Sequence, residues 1–188
     1  MSEEILESFR TTGALLDGHF LLRSGLHSRQ FFQCAILLQH TDLAAKYCAM
    51  LAEKVAHIAA DRVISPALGG VIVGHEVARA LGKRHIFVEK EEGNLVLRRG
   101  FKIGQGERFI IAEDVVTRGG RVQETIDIVR QNGGEVAAIV ALVDRSGGKL
   151  PDFGSPFFSL AQLNPETFSP DAIPPDLAGI PAIKPGSK

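Results

Sequence analysis

Between residues 41 and 150 the chain repeats one pattern: a short run of Val, Ile and Ala, a glycine-bearing turn, and an apolar stripe at helical spacing. Near-continuous apolar strands must be covered on both faces, which a central parallel sheet flanked by helices achieves. The predicted strands are Arg62–Ser65, His85–Glu89, Phe109–Ala112 and Glu135–Val143. Thr41 or Asp42 is placed to cap a helix whose Leu43, Tyr47, Met50, Leu51, Val55 and Ile58 share one face. A second helix is expected from Val71 to Leu81, stopping at Gly82, and a third from Gly119-Gly120 to about Asn132, ended by Gly133-Gly134. Asn94 to Phe101 alternates apolar with polar residues and reads as half of a hairpin turning at Glu91–Asn94. The fold class is therefore α/β, with ligands expected at the carboxyl ends of the strands.

The last part of the chain differs. Eight of the nine prolines follow residue 150, so this tail is expected to form irregular strands and turns on the main body. At 188 residues the chain matches one domain. Residues 41–150 are expected to be its ligand-binding core, with about 1–40 and 150–188 adding a small hood and edge elements.

A net charge of −1 gives no broad field for a nucleic-acid backbone or an anionic membrane, so any anion site must be local. No apolar run approaches a membrane span, and the N-terminal MSEEILESFR does not resemble a secretory signal. Cys34 and Cys48 lack CxxC spacing, and a cytoplasmic location is expected. The six histidines never form HxH or HExxH, so no protein metal cage is expected.

The strongest motif is Phe109-Ile-Ile-Ala-Glu-Asp-Val-Val-Thr-Arg-Gly-Gly-Arg121. It puts Glu113 and Asp114 at the end of a buried strand and a double glycine at the start of a helix. Such a turn offers unpaired N–H groups and the positive end of the helix dipole, which suits a phosphate monoester. The acids suit ribose hydroxyls, hydrated Mg²⁺ or a developing cation.

This segment resembles the phosphoribosyl diphosphate (PRPP) signature of the type I phosphoribosyltransferases. Three further segments resemble the orotate-specific branch: Gly13–Ser28 followed by Phe31-Phe32, Ser65-Pro-Ala-Leu-Gly-Gly70, and Glu89-Lys90 with Leu97-Arg-Arg-Gly-Phe101. The resemblance covers most of the chain. It implies the type I phosphoribosyltransferase fold and PRPP binding by Leu68, Gly69, Gly70, Lys90, Glu113, Asp114 and the run Val115, Val116, Thr117, Arg118, Gly119, Gly120 and Arg121. The 5′-phosphate would lie on Thr117–Arg121, the ribose hydroxyls on Glu113 and Asp114, and the diphosphate on the Ala67–Gly70 turn, often with a non-proline cis peptide.

By the same resemblance, Lys90 reaches PRPP from a neighbouring subunit, which makes the chain a homodimer with a loop shared across active sites. Lys90 and Asp114 are the implied catalytic residues. Orotate would be held by Arg145, Arg23, Phe31, Phe32 and Thr117, and Mg²⁺ would be carried mainly by PRPP and water. The sequence departs from the better-known branch in surrounding Lys90 with Glu89, Glu91 and Glu92, and in placing Arg118 and Arg121 in the phosphate turn. Arg98, Arg99 and Lys102 are alternative cations. Residues 89–104, carrying Gly93, Gly100 and Gly104, are the candidate lid.

The implied reaction is transfer of ribose 5-phosphate from PRPP to orotate, giving orotidine 5′-monophosphate and diphosphate in pyrimidine synthesis. Two alternatives share the PRPP motif: a transferase for another base such as a purine, and a non-catalytic nucleotide-sensing regulator. A guanidinium fork at Arg145 favours an anionic planar base over the first. Chain length and charge balance leave little room for the second.

Overall fold

In the computed structural model, which describes residues 2–22 and 24–185, two sheets form from one chain. The elements run α1 (Ser2–Thr11), β1 (Leu15–Leu21), β2 (His27–Phe32), α2 (Cys34–Leu38), α3 (Thr41–Val55), β3 (Arg62–Pro66) and α4 (Gly69–Ala80). They continue with β4 (Arg84–Glu91), β5 (Asn94–Leu97), β6 (Arg108–Val116), α5 (Gly120–Gln131), β7 (Glu135–Asp144), β8 (Phe157–Gln162), β9 (Thr167–Phe168) and α6 (Pro175–Ala178).

The larger sheet has strand order β5-β4-β3-β6-β7-β8. Its neighbours are parallel except for the antiparallel β4–β5 hairpin. That hairpin turns at Glu92 and Gly93, both left-handed (φ 48° and 96°), as a two-residue loop matched to strand twist requires. The chain places β4 on one side of β3 and then returns to lay β6 on the other. The strand order therefore reverses between β3 and β6, and a crevice opens at their carboxyl ends.

One apolar cluster, with Phe9, Tyr47, Leu51, Val73 and Val140, covers the face under α3 and α4. The other, with Phe109, Ile111, Ile126 and Val129, lies under α5. A smaller antiparallel sheet, β1-β2-β9, joins the chain's beginning to its end.

Four expectations change in detail. Neither Thr41 nor Asp42 caps α3: His40 occupies the N-cap without a side-chain bond, because Thr41 is already helical. α4 begins at Gly69 rather than Val71, so both glycines lie in its first turn. β6 runs through Glu113 and Asp114 to Val116, because pairing with β7 continues to the Val116–Asp144 register. The tail supplies a regular strand to the main sheet: Phe157–Gln162 contains no proline and pairs on one side with β7, as an edge strand can.

Candidate active site

Four segments far apart in sequence end on neighbouring strands β4, β3, β6 and β7, within three strand spacings, or about 14 Å. They are the hairpin with Lys90, the Ala67–Gly70 turn, the Glu113–Arg121 segment and Arg145.

The turn after β6 is shaped by Gly119. Its φ of 77° is left-handed, and an added Cβ would come within 2.7 Å of Phe153 Cζ, so both conformation and space select glycine. Gln123 N–H donates to the Gly119 carbonyl (2.9 Å), leaving the N–H groups of the first turn of α5 without helical partners. A recess of ≈ 40 Å³ lies among Thr117, Gly119, Gly120 and Arg121. It has room for about three water-sized oxygens, the number a phosphoryl group presents.

The acid pair divides into two environments. Glu113 is 6% exposed and accepts the Asp114 N–H at 3.0 Å. Burial, and then the neighbouring Asp114, push its carboxyl well above the ordinary carboxylate range. Asp114 is half-buried and accepts the Val115 N–H at 2.9 Å. Its carboxylate lies against the preceding crossover: a Cβ on Gly69 would sit 2.5 Å from Asp114 Cγ, and one on Gly70 would sit 3.0 Å from Glu113 Oε1. The glycines thus let the Ala67–Gly70 turn close onto the acids. In this turn the Ala67–Leu68 peptide is cis, Ala67 N–H donates to Val88 O at 2.7 Å, and the Leu68 side chain is 87% exposed.

At the end of β7, Arg145 N–H donates to Val116 O at 2.7 Å, fixing it beside the phosphate turn. Asp144 Oδ1 accepts the Ser146 N–H (2.8 Å), while the buried Arg145 Nε has no acceptor. Burial lowers the guanidinium pKa from its usual value. Arg145 faces a cavity of ≈ 770 Å³ lined also by Phe31, Phe32, Thr117, Arg118 and Lys184. Phe32 packs edge-on against Phe9 in the core (4.7 Å between centroids), and Phe31 lies 5.8 Å from Phe20.

The structure brings Thr117, Arg118, Arg145, Phe31 and Phe32 to one cavity, and Glu113, Val115, Val116, Gly119, Gly120 and Arg121 to the adjoining recess. It does not bring Lys90 to either. Lys90 is exposed on β4, opposite Leu95 of the hairpin. Arg98 pairs with Glu91 at 2.9 Å and Arg99 with Glu89 at 2.9 Å, so these cations are engaged within the hairpin. Lys102 is exposed, and its carbonyl accepts from Arg62. Arg23 lies outside the described residues. Lys184 was not anticipated, because a lone lysine in a proline-rich tail carries no motif. Another hollow of ≈ 560 Å³, between α4 and β4 with Arg79, Lys83 and Arg84, lacks the turn amides and the acid pair.

A phosphate-sized recess and a glycine crossover at the reversal point, with the half-buried Arg145 one strand away, fit the class of proteins that handle phosphorylated sugars. The phosphoribosyl transferase domain model matches residues 35–171. The chain is 51% identical to the orotate phosphoribosyltransferase of Sphingopyxis alaskensis over 189 residues, covering 99% of this chain and 96% of that one. It is 47% identical to that of Carboxydothermus hydrogenoformans, covering 98% and 97%. Among solved structures, the orotate phosphoribosyltransferase of Aeropyrum pernix aligns with a TM-score of 0.71 and 26% identity over 85% of this chain and 93% of that one. The adenine phosphoribosyltransferase of Thermoanaerobacter pseudethanolicus shares the fold alone, with a TM-score of 0.62 at 20% identity over 71% and 88%. The chain belongs to the orotate phosphoribosyltransferase family.

Proposed function

We propose that this chain transfers ribose 5-phosphate from PRPP to orotate, forming orotidine 5′-monophosphate and diphosphate for pyrimidine nucleotide synthesis. The observation that carries the assignment of the base is Arg145, a half-buried arginine that lines the large cavity and whose buried Nε has no hydrogen-bond partner. An anionic planar base supplies the acceptors it lacks. A neutral purine offers no carboxylate there.

In this reading the 5′-phosphate lies on the Thr117–Arg121 amides and the diphosphate on the Ala67–Gly70 turn. The C1–O bond to diphosphate breaks with its electron pair leaving on oxygen, and the orotate nitrogen forms the new bond from the opposite face while its N–H proton passes to water or to the departing diphosphate. Positive charge develops on the ribose as the leaving group departs. Asp114, between the two turns, is placed to stabilise that charge and to orient the ribose hydroxyls. Glu113, whose carboxyl is harder to ionise because it is buried, accepts the Asp114 N–H and acts as a brace beneath Asp114. Phe31 closes over the ring.

The diphosphate and ribose oxygens of PRPP are hard donors that would carry Mg²⁺, with water completing its shell and the Asp114 carboxylate beside it. When bound, the ion neutralises charge on the leaving group.

Lys90, which lines neither the recess nor the large cavity of its own subunit, serves the partner's site in a homodimer through the hairpin and the rest of residues 89–104. Exposed Leu68, and exposed Ile72 beside Phe87, support a subunit contact on this side. Residues 1–188 act as a single domain, with 1–40 and 150–188 forming the hood over a 41–150 core. No helix among the described residues is long and apolar enough to cross a membrane. Reaction in the cytoplasm, without nucleic-acid partners, completes the reading.

A turnover assay with PRPP, Mg²⁺ and orotate, hypoxanthine or uracil tests it. Orotate consumption with release of diphosphate is expected, while hypoxanthine turnover without orotate turnover overturns it.

A further inference from the structure

The phosphate turn carries two arginines, and the structure sends them to different places. Gly119 stands between them in the left-handed conformation (φ 77°) as the N-cap of α5, so Arg118 precedes the turn of the chain and Arg121 follows it inside the helix. Phe153 and Pro151 pack behind that glycine: an added Cβ would come within 2.7 Å of the first and 3.3 Å of the second, so the backbone here has little room to shift. Arg121 lines the phosphate recess with Glu113, Gly119 and Gly120. Arg118 does not; it lines the large cavity, as Phe31 and Arg145 do. Thr117 lines both, so the boundary between the two spaces falls at this point of the chain.

Arg118 is exposed, and among the described residues no hydrogen bond or ion pair engages its guanidinium. In this it differs from Arg98 and Arg99, which the hairpin acids hold. No carboxylate is among the described residues that line the large cavity, so nothing there competes for its donors. A fixed backbone thus carries a long arm with five N–H donors beside the cavity.

We propose that Arg118 is a specificity-determining residue for the base: its backbone belongs to the phosphate turn, while its guanidinium takes acceptors of an anionic base in the large cavity. The inference rests on that cavity being the orotate pocket. Orotate carries a carboxylate and two ring carbonyls, more acceptors than the one fork of Arg145 covers. Because the arm is solvated, its contribution is that of an exposed ion pair, small and sensitive to salt. A base without a carboxylate gains no such contribution, so Arg118 widens the preference for orotate over neutral uracil.

The test is steady-state kinetics on the full chain at two ionic strengths, with orotate and PRPP varied in turn. Arg118→Met keeps the backbone N–H and is expected to raise the KM for orotate about twofold to fivefold at about 0.1 M salt, the range for an exposed ion pair. The ratio of variant to wild-type KM should fall towards one at about 1 M, where the screening length shrinks from about 10 Å to about 3 Å. The KM for PRPP and the melting midpoint should stay at wild-type values, and Arg118→Lys should recover part of the loss by restoring the charge. An unchanged orotate KM in Arg118→Met, a PRPP KM that rises as much as that for orotate, or a ratio that salt leaves untouched overturns the role of Arg118. A lysine variant as impaired as the methionine one overturns it as well. Failure of the wild-type protein to consume orotate is a separate result, and it overturns the functional reading on which this inference depends.

Discussion

Replacing Arg145 with Met should separate stability from function. In the free protein its Nε is buried without an acceptor, and a buried donor left unsatisfied costs about 1–3 kcal/mol. Methionine has a similar length and removes that cost, so stability should hold or rise by about 1 kcal/mol, or about 2–4 °C in melting midpoint for a chain of this size. Substrate binding should respond in the opposite sense. Truncating one partner of a desolvated charge pair costs about 2–5 kcal/mol, so kcat/KM for orotate should fall at least about thirtyfold. The KM for PRPP should barely move, since the phosphate recess is built from Thr117–Arg121. Thermal melting and two-substrate kinetics give both readouts. A large drop in melting midpoint with orotate efficiency preserved would falsify the reasoning, because Arg145 would then be a structural tether.

Gly69→Ala places a Cβ against the Asp114 carboxylate. Overpacking of about 1–3 kcal/mol must be relieved by moving the turn or the acid, so kcat/KM for PRPP should fall at least about fivefold; wild-type kinetics would refute the close approach. Glu113 binds a proton in the folded state more tightly than at its ordinary 4.5, so the native protein holds more protons than the unfolded chain as pH rises past that value. Stability from Glu113 should be full below that pH and decline above it towards the raised folded value. Urea midpoints across pH should therefore fall less steeply in Glu113→Gln than in wild type, and identical slopes would contradict a buried neutral carboxyl. Mixing Lys90→Ala with Arg145→Met protein should restore up to about a quarter of wild-type activity if each site in a two-fold dimer borrows Lys90 from its partner. No recovery after subunit exchange would count against the shared loop.

The parallel sheet was legible because β3, β6 and β7 are buried on both faces and therefore read as unbroken Val, Ile and Ala. The β4–β5 hairpin was legible because Glu92-Gly93 fits the turn that strand twist demands. Strand ends were harder: Glu113 and Asp114 look like a terminus by polarity, yet pairing with β7 carries the strand past them. At α3 the hydroxyl and carboxylate of Thr41 and Asp42 resemble caps, but the chain becomes helical one residue earlier than that role allows. Of the candidate site, the phosphate turn and the acid pair were local and readable. The engagement of Arg98 and Arg99 by Glu91 and Glu89 depends on hairpin register, and Lys184 reaches the cavity only through a strap bonded to residues about 160 positions earlier. Neither has a linear motif.

The most direct measurement is a crystal structure of the protein with PRPP, Mg²⁺ and orotate. The account predicts the 5′-phosphate oxygens within about 3 Å of backbone nitrogens between Arg118 and Arg121, with orotate against Arg145 in the adjoining cavity. A phosphate seated instead in the hollow beside Lys83 and Arg84, with the Gly119 turn empty, would contradict it.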